Sequence, residues 1–158
     1  MKTLKTITLS LLFLAVLTTG CENESLTQNC EGDNAEFPEV FYSEELASIP
    51  CGLQSVESDN KEVNLVITNQ ADLEKYFTCH EQLPEIDFNK YFILAGSYTH
   101  HQCALLDSQS VSICNGRIAY NVNLLEQDCQ AITSVFYAIA IENKYNNLPV
   151  DFKIQFKN

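Results

Sequence analysis

The sequence predicts a mainly β protein with a minor α component. The expected architecture is an antiparallel β meander, its sheet curled, packed as a sandwich or partly closed as a barrel, with one short helix and disulfide braces. Three observations lead there. From Val63 onward, apolar residues recur mostly at every second position, the spacing of a strand with one buried face. An Asn115-Gly116 pair separates two such runs and is a strong hairpin signal. Seven cysteines stand in 158 residues, a length that suits one domain.

The elements follow in order. Val63, Leu65 and Ile67 mark the first strand of the body. A short helix comes next, with Asn69 as N-cap, Asp72 three residues on, and Leu73, Tyr76 and Phe77 at helical spacing. Pro84 and Asn89 mark a loop. Tyr91 to Ala95 is an unbroken apolar run, which predicts a central strand buried on both faces. Val111 to Cys114 then leads into Asn115-Gly116, and Arg117 to Leu124 returns. A two-residue type I′ turn pairs Cys114 with Arg117, Ile113 with Ile118 and Val111 with Tyr120, so the apolar residues share one face. Val135, Tyr137, Ile139 and Ile141 alternate in another strand, Asn146-Asn147 turns, and Val150, Phe152, Ile154 and Phe156 alternate in the last.

Upstream of the body, Met1 to Lys5 is basic and Ile7 to Leu17 is apolar and uncharged. A membrane span needs about 20 such residues, so this run has instead the length of a signal-peptide core. Leu17-Thr18-Thr19-Gly20-Cys21 follows and resembles the lipobox of bacterial lipoproteins. That family prefers Leu three residues before the cysteine; here Leu17 stands four before, and Thr18 takes the usual place. The resemblance implies cleavage before Cys21, lipidation of Cys21 with acyl chains such as palmitate, and anchoring to the outer membrane of a cell envelope on its periplasmic or surface face. The alternative is an ordinary secretory signal with Cys21 as one more disulfide partner. The domain division is a signal peptide at 1–20, an acidic lipid-anchored tether at 21–36, and one β-rich globular domain at 37–158.

The formal net charge of −12 repels phosphate backbones and argues against nucleic-acid binding. Without residues 1–20, seven basic and 21 acidic residues remain, a net of −14. Residues 22–60 hold ten acidic residues and no basic one. Phe37, Val40, Phe41, Tyr42, Leu46 and Ile49 then predict a segment that docks onto the body; an exposed Phe37-Phe41-Tyr42 patch for a partner is the alternative.

With Cys21 lipidated, Cys30, Cys51, Cys79, Cys103, Cys114 and Cys129 remain, an even number that suits three disulfides in an exported chain. Extending the hairpin register places Cys103 opposite position 128, one residue from Cys129, which favours that pair. Cys51 and Cys79 bracket the first strand and the helix and form a second candidate pair, leaving Cys30 with Cys114.

Chemistry-bearing motifs are sparse. His100 and His101 are adjacent and would point to opposite faces of a regular strand, so with His80 they are expected to be surface or loop histidines and not metal ligands. Pairing of the six cysteines leaves no thiolate nucleophile. Glu31, Asp33, Asn34 and Glu36 match no calcium loop, and Glu85 and Asp87 are expected to be loop charges. No catalytic residue, cofactor or metal is therefore expected, and the chain is not expected to be an enzyme.

Val63-Asn64-Leu65-Val66-Ile67-Thr68-Asn69-Gln70-Ala71-Asp72-Leu73-Glu74-Lys75-Tyr76-Phe77 and Leu83-Pro84-Glu85-Ile86-Asp87-Phe88-Asn89-Lys90-Tyr91-Phe92-Ile93-Leu94-Ala95-Gly96 together resemble the PrcB-like protease-complex accessory lipoproteins. The resemblance spans about residues 63–156. In place of that family's Gly-Gly-Tyr stands Tyr98-Thr99-His100-His101-Gln102-Cys103. It implies a non-enzymatic envelope binding or accessory module whose partner is an envelope or secreted protein, such as a protease that it stabilises or restrains. The alternative function is an envelope hydrolase or small-ligand-binding protein with a site that carries no known motif.

Overall fold

A computed structural model describes residues 35–47, 51–56, 60–79 and 83–157. Residues 1–20, expected to be a signal peptide, and Cys21, Cys30, Glu31, Asp33, Asn34, Ile49 and His80 lie outside the described residues. The hairpin forms with the register its turn dictates. Strand β6 (Ala104–Cys114) pairs with β7 (Arg117–Glu126) through Cys114↔Arg117, Ile113↔Ile118 and Val111↔Tyr120. Asn115 and Gly116 both take positive φ, 51° and 71°, as a type I′ turn requires.

The remaining described elements are β1 (Val40–Phe41), α1 (Ser43–Ala47), β2 (Cys51–Leu53), β3 (Glu62–Ile67), α2 (Gln70–Tyr76), β4 (Phe77–Cys79), β5 (Tyr91–His100), β8 (Thr133–Glu142), a 3-10 turn (Asn143–Tyr145) and β9 (Val150–Lys157). They build an antiparallel sheet β1-β8-β5-β3, a small antiparallel pair β2-β4, and a three-stranded sheet β6-β7-β9. The fold is mainly β, an open sandwich and not a closed barrel. Its last strand departs from a simple meander, because β9 runs parallel to β7. The cause is the path of β8, which lies in the other sheet. Two short connections each reverse the chain, so β9 returns in the direction of β7.

The four-stranded sheet is buried on both faces. Phe92, Leu94, Tyr137, Ile139 and Ile141 point toward the three-stranded sheet and meet Ile118, Tyr120, Val122 and Leu124. The alternate residues, Ile93, Ala95, Ala138 and Ala140, face a second core with Leu46 of α1, Leu73 of α2, and Ile67, Phe77 and Ile86. This explains why Tyr91 to Ala95 shows no alternation. Each fully buried large aliphatic or aromatic side chain contributes about 1.5–3 kcal/mol of transfer free energy.

Local chemistry sets the edges of these elements. The Asn69 side chain accepts the Asp72 N–H and caps α2, at 2.8 Å. Gly96 lets the Tyr137 phenol lie directly over the backbone of β5. There it donates to the Asn64 side-chain oxygen at 2.7 Å and approaches the Val63 carbonyl at 3.3 Å. A Cβ at position 96 would collide with the Val63 carbonyl and sit 2.5 Å from the Tyr137 oxygen.

The N-terminal segment docks as expected through Phe41, Tyr42 and Leu46. The Phe41 and Tyr42 rings pack on Tyr91, and Leu46 is fully buried. Phe37, by contrast, is 74% exposed. Glu36, assigned to the tether by composition, exchanges backbone hydrogen bonds with Ile113 and accepts a hydrogen bond from the Tyr145 hydroxyl.

Candidate functional site

Among the described residues, two places gather chemistry-bearing side chains. The first is a shallow cleft of about 310 Å³ where the start of β5 meets the end of β8. Phe41, Asn89, Lys90, Tyr91, Glu142, Asn143 and Lys144 line it. Phe41 and Tyr91, with ring centroids 4.5 Å apart, supply the aromatic surface. The loop that carries Lys90 is held by Asp87, whose carboxylate accepts the Asn89 N–H at 3.1 Å and lies 3.3 Å from the Lys90 ammonium. Those hydrogen bonds, from Lys90 first and then from the Asn89 backbone, hold the Asp87 carboxyl below its usual range. Asp87 thus shapes the turn. Glu85 beside it is exposed.

Across the cleft, the Asn143 N–H donates to the Lys90 carbonyl at 2.6 Å, and Lys144 lies 3.0 Å from Glu142. The Tyr145 hydroxyl and then Glu142 push the Lys144 ammonium well above its ordinary range, so it stays protonated. The lining therefore offers an aromatic surface, two ammonium groups, one carboxylate and two amides. These are groups that hold a polar ligand; among the described residues no serine, cysteine or histidine lines the cleft.

The second place is the opposite end of β5. His100 is only 6% exposed, which corrects the expectation of a surface or loop histidine. Its Nε2 lies 2.9 Å from a carboxylate oxygen of Glu126, the last residue of β7. Among the described residues neither ring nitrogen makes an aligned hydrogen bond. The His101 ring lies 4.3 Å away between centroids, not on the opposite face. The strand ends at His100 and the chain bends at His101, so strand alternation no longer applies. His101 is exposed, and His80 lies outside the described residues. Among the described residues no group of three or more His, Cys, Asp or Glu side chains is arranged to hold a metal ion.

The cysteines occupy both ends. Cys103 and Cys129 form a disulfide with Cα atoms 5.5 Å apart, closing a sequence separation of 26 residues. Their backbones also meet, with Cys103 N–H donating to Cys129 O and Gln127 N–H donating to Cys103 O. The hairpin register slips by one at Asp107, a β-bulge on β6, and the slip shifts Cys103 from facing position 128 to facing 127; Cys129 reaches it because β7 ends at Glu126 and the chain bends after Gln127. Cys51 and Cys79 stand directly opposite in the β2-β4 ladder. Cys114 is disulfide-bonded to a cysteine beyond the described side chains; Cys30, its expected partner, lies outside the described residues.

Sequence reasoning missed Glu126 as the neighbour of His100, and it missed the cleft residues Lys90, Glu142 and Lys144. The hairpin register carried a signal for Glu126, since it places the end of β7 beside the residues that follow His100. No comparable signal joins residues 89–91 to 142–144, because their pairing depends on β5 and β8 meeting across the two strands between them. Among the described residues no helix is long and apolar enough to cross a membrane. Comparison with family models, with curated proteins and with solved structures returned no match.

Proposed function

We propose that this chain is a lipid-anchored bacterial envelope protein that works as a non-enzymatic binding or accessory module. The observation that carries the reading is cysteine usage. Cys21 ends a lipobox-like Leu17-Thr18-Thr19-Gly20-Cys21 segment, and the cysteines beyond it number six. Within the body, Cys103 is joined to Cys129 and Cys114 is disulfide-bonded. Disulfides persist in oxidising compartments, which agrees with export. One thiol set apart for acyl chains would provide stable anchoring without a membrane-spanning helix. The likeness of residues 63–156 to PrcB-like proteins proposes an envelope or secreted protease as the partner.

The test compares the wild type with Cys21→Ser in a bacterial host fed labelled palmitate. The wild type should carry label and sediment with membranes, and the variant should lose both. An unlabelled wild type with an unmodified residue 21 would overturn the anchor. For the partner, a pull-down from detergent-solubilised envelopes should recover one protein repeatedly and stoichiometrically; recovery of none would remove the accessory role.

The cleft at Phe41, Tyr91, Lys90 and Lys144 favours a second reading, a small-ligand-binding protein. Its aromatic surface and convergent polar groups have the composition of a ligand site.

A further inference from the structure

We propose that His100 and Glu126 form a proton-operated latch between the two sheets at the end of the sandwich that carries the Cys103–Cys129 disulfide. His100 ends β5 in the four-stranded sheet, and Glu126 ends β7 in the three-stranded sheet. Their 2.9 Å approach is a direct polar bridge between the two layers.

The surroundings make the bridge sensitive to protonation. The His100 ring is buried and has no aligned hydrogen-bond partner among the described residues. A neutral imidazole carries one donor and one acceptor, and a carboxylate can only accept, so a neutral ring gives the bridge at most one uncharged donor. An imidazolium donates from both nitrogens and meets Glu126 with opposite charge, the stronger class of hydrogen bond. Histidine is also the side chain whose charge ordinarily changes near neutral pH.

Among the described residues the groups around the ring are few. Glu126 faces it from β7, and Phe156 of β9 covers it at 4.5 Å. Tyr98 stacks beside it at 6.3 Å, and His101 lies at 4.3 Å from the following turn. Lys61 stands before β3, 5.0 Å from the Tyr98 ring. On β8, Thr133 is the backbone partner of His100, but its hydroxyl is engaged by Gln102 O and Ala104 N–H. Lys157, next to Phe156, is bonded to Asp107. Glu126 is thus the carboxylate that answers the charge on His100. With His100 protonated, β7 and the end of β9 are clamped onto β5; with His100 neutral, at most one uncharged hydrogen bond is left to the bridge, and the Phe156 end of β9 loosens.

The test is a double-mutant cycle of His100→Gln and Glu126→Gln in the full disulfide-bonded protein, read as melting temperature at pH 5.5 and 8.5. A coupling of about 3 °C at pH 5.5, shrinking below about 1 °C at pH 8.5, is the expected result. His101→Gln should leave that coupling intact. A second readout needs no variant: amide protection factors at Gln155, Phe156 and Lys157 of the wild type should fall from pH 5.5 to 8.5, while those at Ile139 and Ile141 hold. Equal coupling at the two pH values, no coupling at either, or coupling that disappears with His101→Gln would overturn the latch. So would a zinc-induced rise in melting temperature that His100→Gln abolishes, because it would make the pair a metal site.

Discussion

The two faces of the four-stranded sheet bury equally well and are built from different residues. Toward the three-stranded sheet, β5 and β8 present Phe92, Leu94, Tyr137, Ile139 and Ile141, large side chains that fill the space between two sheets. On the other face the same strands present Ile93, Ala95, Ala138 and Ala140, mostly small, and the volume comes from outside the sheet through Leu46, Leu73, Phe77 and Ile86. The contrast teaches how one strand serves two cores. Where the neighbour is another flat sheet, the strand supplies bulk; where it is a helix or a loop, the strand recedes and the neighbour supplies it.

Gly96 offers the largest test of that contrast. It belongs to the bulky face, yet it is the one position there where Tyr137 already occupies the space. Gly96→Ala should destabilise by about 3 kcal/mol or more, because the new methyl meets a backbone carbonyl that cannot rotate away. Chemical denaturation measures it, and pairing with Tyr137→Phe should restore only part, since the carbonyl collision remains. Full tolerance of the methyl would show that β5 shifts freely, and the division of labour between faces would fail.

A smaller effect is expected on the receding face. Ala138→Leu should cost about 2 kcal/mol by overfilling the space against the second core. Hydrogen exchange should place the loss in α1, α2 and their neighbours, sparing the β6-β7 hairpin. A loss spread evenly over both cores would show that they unfold as one unit.

The smallest effect belongs to the outer surface, where neither core is touched. The Arg117 guanidinium grips Asp151 and holds its carboxyl below the usual carboxylate range. A carboxyl depressed in the folded state adds stability above its unfolded pKa of about 3.9, and that stability fades as pH falls through the folded value. Asp151→Asn should therefore lower the melting temperature at pH 7 by no more than about 2 °C, since both side chains are substantially solvated. The difference should vanish in strong acid, which a pH series of thermal melts would show.

This contrast also explains what the sequence disclosed. The hairpin was legible to the residue pair, because a type I′ Asn-Gly turn leaves no freedom in register. The bulky core was legible because Val135, Tyr137, Ile139 and Ile141 alternate cleanly. The receding core was legible only in part: the unbroken Tyr91 to Ala95 run announced a second buried face and Leu46 a docking segment, but Ala138 and Ala140 look like neutral spacers until a helix is laid over them. The parallel seat of β9 was hidden for a related reason, as its alternation names a face but not a neighbour. Of the candidate sites, the cysteine pairing was partly legible through the hairpin register. The cleft and the His100–Glu126 approach were not, because both arise from strands distant in sequence.

The bulge at Asp107 bears on how this strand tolerates length change. Leu106 lies opposite Leu124 and Ser108 opposite Asn123, so β6 is one residue longer than the stretch of β7 it spans. Excision of Asp107 would leave every flanking residue on its own side of the pleat and merely regularise the ladder. Excision of a residue such as Ser110 would instead turn one flank inside out, moving side chains such as Val111 and Ile113 off the face that packs in the core. A strand that keeps a spare residue where its carboxylate can reach Lys157 has a site at which insertions and deletions are absorbed without being transmitted.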